Sequence, residues 1–384
     1  MRIALAHDWL LQQRGGEKIL SEFCLRWKNL SIYTLFLNPQ RIHPVIKQHA
    51  IYVSRLGRLP AVERYYRYLL PWFPYGIEEF YLRDFDQLFS ISHAVAKGIP
   101  HDPGIPHICY SLTPMRYLWF DSKMYFPGQQ WSMRRTLLKL FSKRLKTWDL
   151  QSNNRVNHFV AISQTVRQRI EAVYGRAAHV IYPPVDLEFF QPGGVPRENF
   201  YLIISSLVPY KRIDVAIDAF NQNGKMLLIA GEGPLHNRLR RRARSNIRFL
   251  GWVSKEEVRR LYWSAKALVF PGVEDFGLVP VEAQACGCPV IGYGEGGVTE
   301  TVIEGETGVL FREPAPEALI RAIERFEKIP WDEERTARNA ARFSRERFHL
   351  EWETYLRTLG IKMNGADTGE IRNLPIGRGV LGAE

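Results

Sequence analysis

Two rhythms of apolar residues run through this chain. Short, nearly unbroken runs read as strands buried on both faces, and stretches with apolar residues three or four apart read as helices with one buried face. Residues 2–7 are a run of the first kind and turn through Gln12-Gln-Arg-Gly-Gly16. From Glu17 to about Trp27 the second pattern takes over, with Ile19, Leu20, Phe23 and Cys24 on one face: strand, glycine turn, helix. Runs at 88–92, 107–110 and 157–162 predict further strands, the last leading into a helix over 164–174. Val180-Ile-Tyr-Pro-Pro-Val185 stops the pattern, because two prolines neither continue a helix nor sit inside a central strand.

After residue 185 the alternation is cleaner. Strands are predicted at 201–205, 226–230, 247–250, 267–270, 289–292 and 308–311, with helices at 212–221, 235–244, 256–264, 279–286 and 315–326. Such alternation builds a parallel sheet with helices on both faces. The expected fold is α/β: two Rossmann-like, doubly wound parallel-sheet domains, residues 1–185 and 186–340, facing across a cleft. Ligands of such sheets sit beyond the carboxyl ends of the strands, which puts the expected site in that cleft. Residues 332–360 read as helical, with aromatics at Phe343, Phe348, Trp352 and Tyr355, and the glycine-rich stretch 361–384 reads as a disordered tail.

The 384 residues are 46% apolar and 24% charged, a globular balance that excludes a disordered, collagen-like or disulfide-scaffold chain. Four cysteines (Cys24, Cys109, Cys286 and Cys288) point to a reducing, cytoplasmic setting, and the last two are spaced as small buried residues rather than a zinc knuckle or redox pair. No apolar run approaches the roughly eighteen residues needed to span a bilayer, and the opening Met-Arg-Ile-Ala-Leu-Ala turns polar too soon for a signal peptide. The net charge of +12 is lopsided: residues 1–180 hold 25 Lys and Arg against 12 Asp and Glu, the remainder 27 against 28. A basic first half could meet nucleic acid, an anionic membrane or a phosphorylated substrate, or form a solvated face. No nucleic-acid-binding module accompanies the charge, so nucleic acid is not an expected partner.

The most informative stretch is Phe270-Pro-Gly-Val-Glu-Asp-Phe-Gly-Leu-Val-Pro-Val-Glu282, which follows a strand and enters a helix with Pro280 in its first turn. The amides near 276–279 are then unpaired within the helix and offer an anion site. A diphosphate there would lie between Glu274 and Glu282, one carboxylate accepting hydroxyls of a sugar and the other those of a ribose. Two solvated glutamates around a helix start are the plainer alternative. Lys211 and Arg212 open another helix, where cations oppose the helix dipole unless an anion is bound nearby. Gly231-Glu-Gly-Pro234 and Gly15-Gly16 follow strands, to admit a ligand to the backbone or simply to turn. Neither is the dinucleotide fingerprint, and no phosphate-loop motif is present.

Together these residues resemble the retaining GT-B glycosyltransferases of family 4. The resemblance rests on Glu274 and Glu282 with Phe276-Gly277 between them, Val208-Pro-Tyr-Lys-Arg212, Gly231-Glu-Gly-Pro234, Phe249-Leu-Gly-Trp-Val-Ser254, and Gly294-Glu-Gly-Gly297 followed by Glu300. In the first half it rests on His7-Asp8-Trp9, Gly15-Gly16, Ser111-Leu-Thr-Pro-Met-Arg116, Val160-Ala-Ile-Ser163 and Tyr182-Pro-Pro-Val-Asp186. It covers roughly residues 2–357 and leans toward bacterial mannosyltransferase-like enzymes of polysaccharide and O-antigen assembly.

The resemblance implies transfer of a hexose, mannose first, from a GDP- or UDP-linked donor to a lipid-linked or polysaccharide acceptor, with retention, without metal or other cofactor, in the cytoplasm or at the inner face of an anionic membrane. It makes Glu274, Lys211 and Arg212 the catalytic set, the two cations on the donor diphosphate and Glu274 on the transferred sugar. Donor binding falls to Gly15, Gly16, Ser206, Gly231, Gly233, Trp252 at the base, the backbone of Phe276, Gly277 and Leu278, and Glu282 at the ribose. Asp8, His93, Thr113 and Arg116 are the acceptor-side candidates, and residues 341–360 a helix crossing back onto the first domain. The leaving phosphate would help to deprotonate the acceptor, so no carboxylate need act as nucleophile. Asp84-Phe-Asp86 precedes a predicted strand and is not read as a metal site.

Two departures stand out. Ser206 stands where the family often has Arg, leaving more of the phosphate charge to Lys211 and Arg212. Leu112 replaces a cleft histidine, and His7 and His93 are the histidines that could substitute in space. These departures make a catalytically weak relative, binding a saccharide or partner, the alternative reading. On the acceptor side, 55–74 mixes Arg, Tyr, Trp and Leu, and 131–148 carries six basic residues and no acidic one among Leu137, Leu138, Leu140, Phe141 and Leu145. The latter is either an interfacial helix for an anionic membrane or a core helix with a basic outer face.

Overall fold

The computed structural model describes residues 1–13, 15–120 and 133–361; the expected tail after Ile361 and the opening of the 131–148 segment lie outside the described residues. In the first half β1 (Ile3–His7), β2 (Leu30–Thr34), β3 (Ala50–Val53), β4 (Gln87–Ser92), β5 (His107–Ser111), β6 (His158–Ala161) and β7 (Ala178–Val180) form a sheet ordered β3-β2-β1-β4-β5-β6-β7. In the second, β8 (Tyr201–Ile204), β9 (Leu227–Ala230), β10 (Ile247–Gly251), β11 (Ala267–Phe270), β12 (Val290–Tyr293) and β13 (Gly308–Phe311) are ordered β10-β9-β8-β11-β12-β13. The central strands run parallel, Leu5 opposite Phe89 in one sheet and Leu202 opposite Leu268 in the other. β1, β4 and β5 are buried along their whole length, as continuous apolar strands between two helical layers must be.

The first half carries α1 (Gly15–Arg26), α2 (Phe73–Glu78), α3 (Arg116–Trp119), α4 (Met133–Ser152) and α5 (Gln164–Tyr174). The second carries α6 (Ile213–Asn223), α7 (His236–Arg242), α8 (Lys255–Ser264), α9 (Leu278–Ala285), α10 (Val298–Thr301) and α11 (Pro316–Phe326), followed by α12 (Glu333–Ala340) and α13 (Arg345–Thr358). This is the expected pair of doubly wound α/β domains. Among the described residues, no helix is long and apolar enough to cross a membrane.

Three strands carry no run that the sequence pattern marks. β2 alternates buried and half-buried residues, β3 is an edge strand with exposed Ala50 and Tyr52, and β7 has three residues. Their signal is period two over very few positions, too short to stand out. The 332–360 stretch is not one helix. Ser344 takes an extended conformation and its side chain accepts the Arg347 amide, starting α13 afresh after a tight turn at Ala341–Phe343.

That break places aromatic rings. Phe343 lies 5.4 Å from both Tyr182 and Phe276, joining the proline-rich connection to the loop before α9. α13 then lays Trp352 against Phe23 and Tyr110 of the first domain, at 5.2 and 5.3 Å. All four cysteines are free and buried, and burial raises the Cys24 and Cys109 thiols to about 12.

Strand order reverses between β1 and β4 in one sheet and between β8 and β11 in the other. A crevice opens outside the carboxyl ends of strands at such reversals. The residues delivered there are His7, Asp8 and His93 from one side, and the segments around Ser206, Lys211 and Glu274 from the other.

Candidate functional site

The loop from β11 to α9 is the centre of the site. Gly277 caps α9 at φ 89°, a left-handed conformation that a side chain would strain, and no side chain caps the first amides. Glu274 and Glu282 are both largely buried rather than solvated. Glu274 forms an ion pair with Lys211, which sits in the tight turn Pro209–Lys211 before α6. Glu282 accepts from Lys18 Nζ of α1 at 2.8 Å, across the cleft. Leu278 faces Gly15: a β-carbon on that glycine would lie 3.6 Å from Leu278 Cδ1. The cation, the two carboxylates, the helix start and the glycine pair therefore converge.

Arg212, Gly231 and Gly233, also expected at the site, each make contacts within the second domain. Arg212 sits at φ 50°, its Nε is 3.4 Å from Asp214 and its Nη2 donates to the Pro314 carbonyl at 3.4 Å, which leaves Lys211 as the cation on Glu274. Gly231 and Gly233 let backbone approach backbone: a β-carbon would lie 2.0 Å from the Ser205 carbonyl oxygen at the first and 2.5 Å from that of Leu207 at the second. They hold the strand-end segment containing Ser206 in place. Trp252 is 66% exposed on the loop after β10. The Phe276 ring is buried against Tyr182 and Phe343.

On the first domain Asp8 is fully buried and accepts four backbone amides, those of His93, Ala94, Val95 and Ala96, at 2.7–3.0 Å. It also holds His93 Nδ1 at 3.0 Å. Burial opposes its charge, yet His93 and these hydrogen bonds keep the carboxyl down at about 2. Burial likewise lowers His93, but Asp8, backed by Glu17 and Asp275, carries the imidazole above its ordinary value. His7 is buried with Nδ1 3.1 Å from the Ile91 carbonyl oxygen, and burial lowers it to about 4. Leu112 and His7 both pack on Gly16, where a β-carbon would come within 3.2 Å of each. Of the two histidines, His93 is the one poised to carry charge.

Thr113 and Arg116 are linked to two residues with no assigned role in the sequence pattern. Arg169 of α5 donates to Thr113 at 3.3 Å and ion-pairs with Asp275, which Arg116 also approaches at 3.5 Å. Burial raises the Asp275 carboxyl, and the two arginines pull it back only in part. Glu300 accepts the amides of Gln164 and Thr165 at 2.7 and 2.9 Å, so a second-domain carboxylate caps a first-domain helix. A cavity of about 490 Å³ opens beside this junction, lined by Phe120, Gln168, Arg169, Val273 and Glu295 among others. Asp275 was visible as the neighbour of Glu274; nothing local distinguishes Arg169.

Residues 184–343 match the family model of glycosyl transferases group 1, and residues 47–189 that of Glycosyltransferase Family 4. These matches support a family-4-like glycosyltransferase, and the two doubly wound sheets have the GT-B fold. The chain is 32% identical to an uncharacterized glycosyltransferase of Methanocaldococcus jannaschii over 165 residues, 42% of this chain and 46% of the relative. It is 29% identical over 180 residues to a GDP-mannose-dependent alpha-(1-6)-phosphatidylinositol monomannoside mannosyltransferase of Mycobacterium tuberculosis, 39% of this chain and 47% of that one. The chain thus spans under half the length of these curated relatives. Among solved structures, Anabaena HepE in complex with UDP and glucose superposes over 92% of this chain and 99% of its own, with TM-score 0.64 at 18% identity. Sucrose-phosphate synthase from Thermosynechococcus elongatus does so over 94% and 99%, with TM-score 0.68 at 17% identity. These likenesses are likenesses of fold.

Proposed function

We propose that the chain transfers a hexose, mannose first, from a nucleoside-diphosphate sugar to a lipid-linked or polysaccharide acceptor, with retention and without a metal. The observation that carries this reading is the Lys211–Glu274 pair beside the uncapped start of α9, opposite Gly15. The diphosphate would take the α9 amides and Lys211, releasing Glu274 to accept hydroxyls of the transferred sugar. Glu282 would take the ribose. The mannosyltransferase named among the relatives supports a GDP-linked donor, and the HepE complex supports a UDP-linked one. Exposed Tyr68, Trp72 and Tyr75, with Arg144 of α4 on the Tyr75 hydroxyl, support work at an anionic membrane surface.

Leu112 on Gly16 favours a second reading, a catalytically weak relative that binds a saccharide or partner. Titration with GDP- and UDP-sugars separates the two. Transfer predicts a raised melting temperature with one donor class and turnover beyond one equivalent. No shift with any nucleotide sugar at saturation sinks the donor site, and a shift without multiple turnover leaves the second reading standing.

A further inference from the structure

The residues on either side of Glu274 are held by the first domain. Arg116 Nη2 donates to the Val273 carbonyl at 3.4 Å, and Ser163 Oγ donates to the Asp275 carbonyl at 2.5 Å. The Asp275 carboxylate is paired with Arg169 of α5 and lies 3.5 Å from Arg116 of α3. The Arg116 guanidinium also lies 5.1 Å from the ring centre of Tyr210, the residue before Lys211. First-domain groups thus grip the neighbours of both members of the Lys211–Glu274 pair.

The chemistry calls for such a grip. Two adjacent carboxylates are shared out between different cations, Glu274 with Lys211 and Asp275 with Arg169 and Arg116. An unpaired Asp275 would compete with Glu274 for Lys211, and two unpaired arginines would compete with Lys211 for Glu274. Pairing Asp275 with the arginines removes both competitions.

We propose that Asp275 is a positioning residue: with Arg116 and Arg169 it fixes Glu274 and Lys211 in place, so the donor site is complete only while the first domain is docked on it. Arg116, expected on the acceptor side, works here through Asp275. The proposal rests on the glycosyl-transfer reading above.

The test is a double-mutant cycle on the full chain with Asp275→Asn, Arg169→Gln and both together, read by kcat, by UDP and GDP affinity in calorimetry, and by melting temperature. The expected result is a kcat at least tenfold lower in each single variant, nucleotide affinity within threefold of wild type, and a double variant no worse than the poorer single. Arg169→Lys, which keeps the charge, should retain more activity than Arg169→Gln; this pair carries the test if Asp275→Asn does not fold. An unchanged kcat in Asp275→Asn overturns the proposal, as do losses that multiply in the double variant or that follow the folded fraction alone. A wild type that binds UDP or GDP but transfers no sugar overturns the glycosyl-transfer reading, and the positioning role with it.

Discussion

Lys18 Nζ and Glu282 Oε1 meet at 2.8 Å from opposite sides of the cleft. The charge of Glu282 raises the lysine above its ordinary value, against the pull of burial. The carboxylate proposed for the ribose is therefore already engaged, and a ribose hydroxyl competes with an ammonium for it. Lys18→Ala should tighten UDP or GDP binding several-fold, and Glu282→Gln should weaken it about tenfold, roughly one charged hydrogen bond. Calorimetry on both variants decides the matter: weaker binding in Lys18→Ala would make the lysine a ligand rather than a competitor.

Lys211 and Arg212 should behave very differently despite their adjacency. Lys211→Ala leaves Glu274 without its cation and removes the charge opposite the leaving diphosphate, so donor turnover should fall about a hundredfold or more. Arg212→Gly removes a side chain held by Asp214 and Pro314 and relieves a left-handed residue at φ 50°. It should keep turnover within a few-fold of wild type and gain up to about 1 kcal/mol in stability. Equal losses in the two variants would return Arg212 to the donor site.

Much of this site was legible because it sits where parallel sheets put sites. The runs that became β8 and β11 end just before Lys211 and Glu274, so strand ends and helix starts alone brought those residues to one place. The partners that set their state were not legible. Lys18 is 264 residues from Glu282 and Arg169 is 106 from Asp275, and no periodic pattern reports a contact made by docking two domains. Gly231 shows the opposite difficulty. The sequence alone left open whether its backbone meets a ligand or turns, and the structure shows a third use, packing on the carbonyl of Ser205.

That packing is itself testable. At φ 127°, with a β-carbon due 2.0 Å from the Ser205 oxygen, Gly231→Ala must shift the strand-end segment or the turn. A stability loss of about 2–4 kcal/mol in urea unfolding is expected. Gly194→Ala, at φ 64° with nothing within 4 Å, is the control for backbone strain alone and should cost about 1 kcal/mol.

Glu300 should tie the domains through the first turn of α5. Its two oxygens take the Gln164 and Thr165 amides and the Thr165 hydroxyl, while Ser163 already serves the Val166 amide. Glu300→Ala should cost about 1–2 kcal/mol and speed hydrogen exchange at residues 164 and 165 specifically. Unchanged exchange at these amides would mean that the cap is dispensable.

Acid should destabilise the fold through buried histidines before it reaches the carboxylates. His7 and His107 are lowered to about 4 and about 3, by burial above all, against an ordinary 6.5. A depressed histidine is neutral in the folded state and readily charged in the unfolded one, so its contribution is complete above pH 6.5 and drains away down to the folded value. For His7 that is roughly 3 kcal/mol. His93, raised by Asp8, runs the other way: its contribution is present below pH 6.5 and fades as pH climbs through its folded value. Asp8, held at about 2 against 3.8, adds a further loss only below pH 4. Urea midpoints should therefore fall steadily from pH 6.5 to 4, and His107→Gln should flatten that slope. A wild-type midpoint unchanged across this window would mean that the buried histidines titrate as they do in water.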